Sequence, residues 1–282
     1  MTFLADDGHF LIKDNPSRFS SMFDWIVTEH KVLKYKDIPN SIFVKTDYLP
    51  RFVNQDFPQL KNPFVLITGS SDWCPSINFP VEYSFLLNSV FVKKWYMLNC
   101  LSEHPKVFSY PGGLCHNETS DNILRYIRAG VNKHESNKIL CIWRDRNFNV
   151  CGDQFITRKT VEQFVKQRPD VFDWVDADMN TEDFYKLLSR YKFVLCPVGN
   201  GVDPCPKAFE AIIVKTVPIM IKTINTQIYE DFSVMLVDNF NTLVTMSNLG
   251  EIYEKLNTQL SDDSILHKLS CEYWYSNVMN ED

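Results

Sequence analysis

The chain has 282 residues, with 29 Lys and Arg against 35 Asp and Glu and a formal net charge of −6. That length allows one large or two modest domains with a real core, and the mild acidity argues against a protein that coats nucleic acid, whose phosphates call for a basic surplus. Hydrophobic residues at 45% and charged residues at 23% exclude a disordered chain.

The most apolar stretch, 211–221, is broken by Lys215 and Pro218 and is far shorter than the roughly 20 residues a spanning helix needs. The N-terminal MTFLADDGHF carries acids where an export signal needs basic and then apolar residues. A cytoplasmic location is expected. The eight cysteines show no C-x-x-C, and Cys141 and Cys196 sit in apolar runs, which fits reduced thiols acting as small hydrophobes. Asn117-Glu118-Thr119 matches a glycosylation acceptor that stays idle without export.

In chain order, PFVLIT (63–68), YSFLLNSVFV (83–92) and KVFSYP (106–111) are apolar runs bounded by turn formers. They read as buried strands, although 83–92 is equally compatible with a helix. A helix is expected over 121–129, and the polar, aperiodic 130–138 reads as a linker. The second half alternates. KILCIW (138–143) is a strand, and Val161, Phe164 and Val165 mark a helix. Residues 180–191 form another helix, with Phe184, Leu187, Leu188 and Tyr191 on one face. Strand FVLC (193–196), helix 207–214, strands VPIMI (217–221) and VMLVD (234–238), helix 248–260 and a helical tail from 261 follow. Apolar strands alternating with helices predict an α/β fold with a parallel sheet covered on both faces.

The sharpest local feature is Cys196-Pro197-Val198-Gly199-Asn200-Gly201-Val202-Asp203, followed by PCPKAFEAI. A buried strand enters a loop where Gly199 and Gly201 let the backbone approach a ligand, and a helix then starts, which favours a phosphate. Lys207 adds a full positive charge, and Glu210 can accept hydrogen bonds from ribose hydroxyls. The plain alternative is a tight strand-to-helix turn with solvated Lys and Glu. The third glycine of a Rossmann fingerprint and the G-K-[ST] of a P-loop are both missing.

The stretch from Tyr191 to about Asn239 resembles the C-terminal domain of exostosin-like glycosyltransferases. Their pattern joins a strand, a small-residue loop, [SC]-P-[RK]-x-x-E-A and a "VP" strand, here KFVLCP, GNG, CPKAFEAI and TVPIMI. FVLITGSSD (64–72), VKKWYMLNC (92–100) and HPKVFSYPGGL (104–114) are similar to a compact subset of that family found in algae and large algal DNA viruses. The resemblance spans roughly residues 60–240. It implies a GT-B fold, two Rossmann-like domains whose parallel sheets face a central cleft. An acceptor-binding domain over 1–134, a nucleotide-sugar-binding domain over 135–260 and a C-terminal helix over 261–282 returning to the first domain are then expected. The resemblance also implies a UDP-sugar donor, a glycan or glycoprotein acceptor, inversion at the sugar carbon and no metal cofactor. A viral xylosyltransferase using UDP-xylose is the nearest kind, which would place the chain in host cytoplasm.

Two departures stand out. Lys207 replaces the commoner Arg, giving a point charge instead of a bidentate fork, and Asp145 replaces the glycine of a strand-end "RG". By that resemblance Arg144 and Arg158 reach the donor phosphates, with Arg146 a weaker candidate.

An inverting transfer needs a base for the acceptor hydroxyl. Asp72, just past strand FVLITG, is the candidate, since carboxyl ends of strands are where α/β sheets place their chemistry. A turn or cap role is its alternative, and His116 and Glu82 are rival bases. Trp73 and His116 are weak acceptor-binding candidates, and Trp95 and Tyr96 can stack on a sugar. Asp176-Ala177-Asp178 is a D-x-D triplet that would hold a divalent metal in a GT-A glycosyltransferase. That reading, and a non-catalytic sugar-nucleotide or glycan-binding module, are the alternatives to a metal-independent GT-B enzyme.

Overall fold

The computed structural model describes residues 22–29, 31–114, 136–144, 148–152, 156–204, 206–260 and 263–280. His116, Arg146, the helix expected over 121–129 and most of the linker lie outside that set.

Two parallel sheets dominate. The first contains β1 (Trp25–Val27), β2 (Val32–Lys34), β3 (Ser41–Lys45), β4 (Phe64–Gly69), β5 (Val92–Met97) and β6 (Val107–Ser109). Its order is β2-β1-β3-β4-β5-β6, with β2 antiparallel to β1 and the other pairs parallel. The second contains β7 (Ser136–Cys141), β8 (Phe172–Trp174), β9 (Tyr191–Leu195), β10 (Val217–Ile221) and β11 (Met235–Val237), in the order β11-β10-β9-β7-β8, all parallel.

Alternation explains how the first sheet is covered. Ile26, Phe43, Val65 and Ile67 face a core continuous with the second sheet. Trp25, Val27, Ile42, Val44, Phe64 and Leu66 face a separate apolar layer with Leu49, Phe52 and Phe57. The side-chain period of two sends neighbours along each strand to opposite layers.

The helices have local causes. In α1 (Pro80–Asn88) proline occupies the first turn and Glu82 complements the N-terminal dipole. α2 (Arg158–Lys166) starts where Thr157 Oγ1 accepts from Thr160 N–H and buries Val161 and Val165. α3 (Thr181–Leu188) starts where Asn180 caps Asp183 N–H and buries Tyr185 and Leu188. α4 (Lys207–Ile213) is buried from Ala208 onward. α5 (Leu249–Leu260), α6 (Asp263–Lys268) and α7 (Cys271–Asn280) close the chain.

The run 83–92 is neither one strand nor one helix. It holds the end of α1 and the first residue of β5, with Ser89, Val90 and Phe91 between them. Leu86 is buried while Val81 and Phe85 are exposed, so α1 carries little of the periodic stripe that marks a helix. The strand expected at KILCIW begins earlier, at Ser136. Strands β1, β2, β3 and β8 had no expectation; three of the four are three residues long, too short for an alternation to be recognised.

The two sheets meet through named contacts. Asn225 Oδ1 accepts from Cys100 N–H at 2.8 Å, and Asn78 Nδ2 donates to the Val150 carbonyl at 2.8 Å. Ser109 Oγ donates to the Ile224 carbonyl at 3.4 Å. Trp274 of α7 sets its ring edge-on to Tyr110, just after β6, at 6.0 Å.

Candidate functional site

In the second sheet β7 lies between β8 and β9, so the winding direction reverses between β7 and β9. The crevice beyond the carboxyl ends of such a pair is where open α/β sheets bind ligands. Residues Ile142 to Arg144 leave β7 there, and Cys196 to Asp203 leave β9.

Several expected residues converge on that crevice. Lys207, the first residue of α4, donates from Nζ to the Ile142 carbonyl, and Nζ lies 5.2 Å from the centroid of the Trp143 ring. Arg158 at the start of α2 donates from Nε to the Val198 carbonyl at 3.1 Å. Gly199 N–H turns back to the Asp203 carbonyl at 3.5 Å. The two cations therefore sit against the ends of β7 and β9 and flank the glycine loop. Glu210, one turn along α4, is largely buried, 7% exposed.

Arg144 stands apart. Its Nε is 3.6 Å from Asp178 Oδ1, and both side chains are open to solvent. Asp178 of the D-x-D triplet is thus paired with a cation. Among the described residues no group of three or more His, Cys, Asp or Glu is arranged to hold a metal ion.

The glycine loop is gripped by the first lobe. A Cβ at Gly201 would come 2.4 Å from Asn99 Oδ1 and 2.6 Å from the Asp72 carbonyl oxygen, separations that no side chain tolerates. Asn99, just after β5 and 3% exposed, accepts at Oδ1 from Val202 N–H at 2.8 Å and Asp203 N–H at 3.0 Å. Its Nδ2 donates to the Ser71 carbonyl at 2.8 Å. Asn149 Nδ2 donates to the Gly201 carbonyl at 2.6 Å, and Val150 N–H donates to the Asn200 carbonyl at 2.7 Å. Asp203 is buried, with Oδ2 accepting from Tyr229 Oη at 3.3 Å and Asn225 Nδ2 at 3.5 Å.

Asp72 lies at this junction. β4 ends at Gly69, and Ser70 turns the chain with a φ of 53°, a left-handed conformation uncommon for serine. Asp72 is exposed, and its Oδ2 accepts from Asn200 Nδ2 at 2.9 Å. Asn200 Oδ1 is buried with no hydrogen-bond partner among the described residues, and so is Trp143 Nε1. Orphaned polar atoms of this kind call for a partner, and one acceptor and one donor are left unsatisfied beside the crevice.

Trp73 is 38% exposed, packed edge-on to Phe79. Trp95 and Tyr96 are core residues; Trp95 is fully buried, and its Nε1 donates to Thr68 Oγ1 at 3.0 Å. A cavity of about 450 Å³ lies beside the glycine loop, its wall including Val161, Phe164, Cys196, Val198, Met220 and Phe240. Sequence reasoning missed Asn99 and Asn200, which hold the two lobes together, and Asn149, which fixes the glycine loop within the second lobe.

No family model and no curated protein matches the chain, so the exostosin-like resemblance rests on its motifs. Solved structures do match. A trehalose-6-phosphate protein of E. coli bound with UDP-2-fluoro glucose is 10% identical, with a TM-score of 0.52 over 86% of this chain and 73% of that one. The trehalose-6-phosphate synthase OtsA is 10% identical, with a TM-score of 0.50 over 86% and 72%. A trehalose-6-phosphate synthase studied for glycosyltransfer with retention gives 10%, 0.50, 86% and 74%. The chain has the GT-B fold, α/β with two parallel, Rossmann-like sheets. The GT-A alternative built on Asp176 and Asp178 falls with that finding. Among the described residues no helix is long and apolar enough to cross a membrane.

Proposed function

We propose that the protein is a glycosyltransferase that moves a sugar from a UDP-sugar to a hydroxyl of a glycan or glycoprotein. The observation that carries this reading is the Asp72–Asn200 contact, which sets an exposed carboxylate of one lobe against the glycine loop of the other. Lys207 and Arg158 supply the positive charge for a diphosphate at the β7–β9 crevice and stabilise the leaving UDP as its bond to the sugar breaks. Gly199 lets the loop pass close to the donor, while Gly201 makes room for Asn99 and the Asp72 backbone. Glu210 receives the ribose hydroxyls, and Arg144 guards the outer side of the phosphates.

Asp72 acts as general base. It takes the proton of the acceptor hydroxyl as the oxygen attacks the anomeric carbon opposite UDP, which inverts that centre. Trp73, two residues before the buried Pro75, and His116 contribute to acceptor binding. No metal is required, because the charge is met by side chains. The exostosin-like and viral resemblance favours xylose as the sugar. Retention is the second reading, favoured by the structurally similar synthase studied for retention.

The test is incubation of the purified protein with a panel of UDP-sugars and glycan acceptors, following UDP release and the anomeric proton of the product. Transfer with inverted configuration supports the full reading. Transfer with retained configuration keeps the enzyme and removes the role of Asp72 as base. Tight UDP binding without release of UDP from any donor leaves a non-catalytic sugar-nucleotide-binding module.

A further inference from the structure

Cys74, Cys100, Cys141, Cys151 and Cys196 are buried thiols. Two of them share a site. Cys74 and Cys151 pack with Val202 in a small apolar cluster at the junction of the lobes, 0% and 1% exposed. Cys74 belongs to the first lobe, on the loop after β4, and Cys151 to the second, between β7 and α2. Cys74 Sγ lies 3.2 Å from Ser76 Oγ, and the Cys151 thiol reaches the Asp72 carbonyl at 3.6 Å.

The shared site treats the two thiols unequally. The neighbouring Cys151 side chain, with Ser76, brings the Cys74 thiol down to about 6 against the opposing effect of burial. Cys151, tied to its partner and desolvated, is pushed up. Cys100 and Cys141 are pushed up by burial. One acidic thiol against one protonated thiol is the pairing of an attacking and a resolving cysteine.

We propose that Cys74 and Cys151 are a reversible oxidation site, at which a hydroperoxide joins the two lobes through a disulfide. The Cys74 thiolate attacks the O–O bond, forming a sulfenic acid and releasing hydroxide or alkoxide. Cys151 sulfur then displaces the sulfenic oxygen. The S–S bond forms, the S–O bond breaks, and the oxygen leaves as water with the Cys151 proton. Two thiols lose two electrons and the peroxide gains them. Because each sulfur belongs to a different lobe, the disulfide ties the two lobes together at their junction. A dithiol reverses the step. The inference rests on the fold and this contact, not on the proposed transfer reaction.

The test uses the full chain, titrated with hydrogen peroxide, alkylated and digested for mass spectrometry. The expected product is a Cys74–Cys151 cross-linked peptide, formed before the remaining cysteines oxidise and abolished by dithiothreitol. In Cys151→Ser, dimedone should trap Cys74 as a sulfenic acid. If that variant does not fold, the wild-type peptide map decides alone. Persistent alkylation of Cys74 after other cysteines have reacted overturns the proposal, as does sulfinic acid at Cys74 without the cross-link. Neither readout needs a nucleotide, so a failed transfer assay and a failed cross-link are separate results.

Discussion

At Asp72 the carboxylate points across the cleft and not along its own chain. The Trp73 N–H is met by Ser71 Oγ at 3.2 Å, and the short helical turn over Pro75–Asn78 has no side-chain cap. The capping role that Asp commonly plays in such loops is therefore not the one seen. Asp72→Asn keeps an oxygen for Asn200 Nδ2 and removes the basicity. Transfer should fall by about 10²–10⁴ with UDP affinity unchanged by calorimetry; loss of UDP binding instead would make Asp72 a structural tether. The phosphate contacts proposed for the cations act on the ground state as well. Lys207→Gln and Arg158→Gln should each weaken UDP binding by about 1.5–3 kcal/mol, roughly ten- to a hundredfold in Kd. The double change should be less than additive if both meet one diphosphate, and full additivity would separate them. Lys207 and Asp72 were legible in the sequence because a cation after a glycine loop and an acid after a strand have a local pattern. Asn99 was not. Its partners Val202 and Asp203 lie 103 and 104 positions away, and asparagine in a loop carries no signal of its own.

The glycine loop shows what an element can reveal in sequence and what it withholds. Two glycines between a strand and a helix announce a close approach, but not to what. At Gly201 the neighbour is protein: the Asn99 amide and the Asp72 backbone. Gly201→Ala has no room unless the lobes shift, and it should destabilise the chain by about 1–3 kcal/mol, measured by denaturant unfolding. An unchanged midpoint would mean that the lobes separate readily. The helical turn Phe52–Asp56 carries a second testable feature. Asp56 is buried, with Oδ2 unpaired among the described residues. Burial raises its carboxyl above the usual range, outweighing the opposing fields of Arg51 and Lys34. A raised carboxyl holds its proton longer in the folded chain, so its contribution to stability falls as pH rises from the ordinary value through the folded one. Asp56→Asn should raise Tm at about pH 7 and lose that advantage at about pH 3. An advantage that is the same at both values would contradict the ionisation argument. The misread run 83–92 has a related cause. An apolar decapeptide contains no marker for where α1 ends and β5 begins except Asn88-Ser89, a pair that a strand boundary shares.

Across the whole molecule the second half was readable because its strands alternate with strongly periodic helices: Val161 and Val165 are buried on α2, and Tyr185 and Leu188 on α3. The first half starts with strands of three residues, where neither period can be counted. The cleft itself is a product of tertiary contact. The grip of Asn99 on the glycine loop, the Asn225–Cys100 bond and the Trp274–Tyr110 ring contact all join residues more than 100 positions apart. What the sequence supplied was the list of charged and glycine residues. What the fold adds is that Lys207, Arg158 and the 199–203 loop share one crevice, with Asp72 across from it. A crystal structure of the protein with bound UDP tests that arrangement. Its diphosphate should lie between the ends of β7 and β9, within about 4 Å of both Lys207 Nζ and the Arg158 guanidinium, the range of an ion pair. A diphosphate held elsewhere, with both cations still against the Ile142 and Val198 carbonyls, would contradict it.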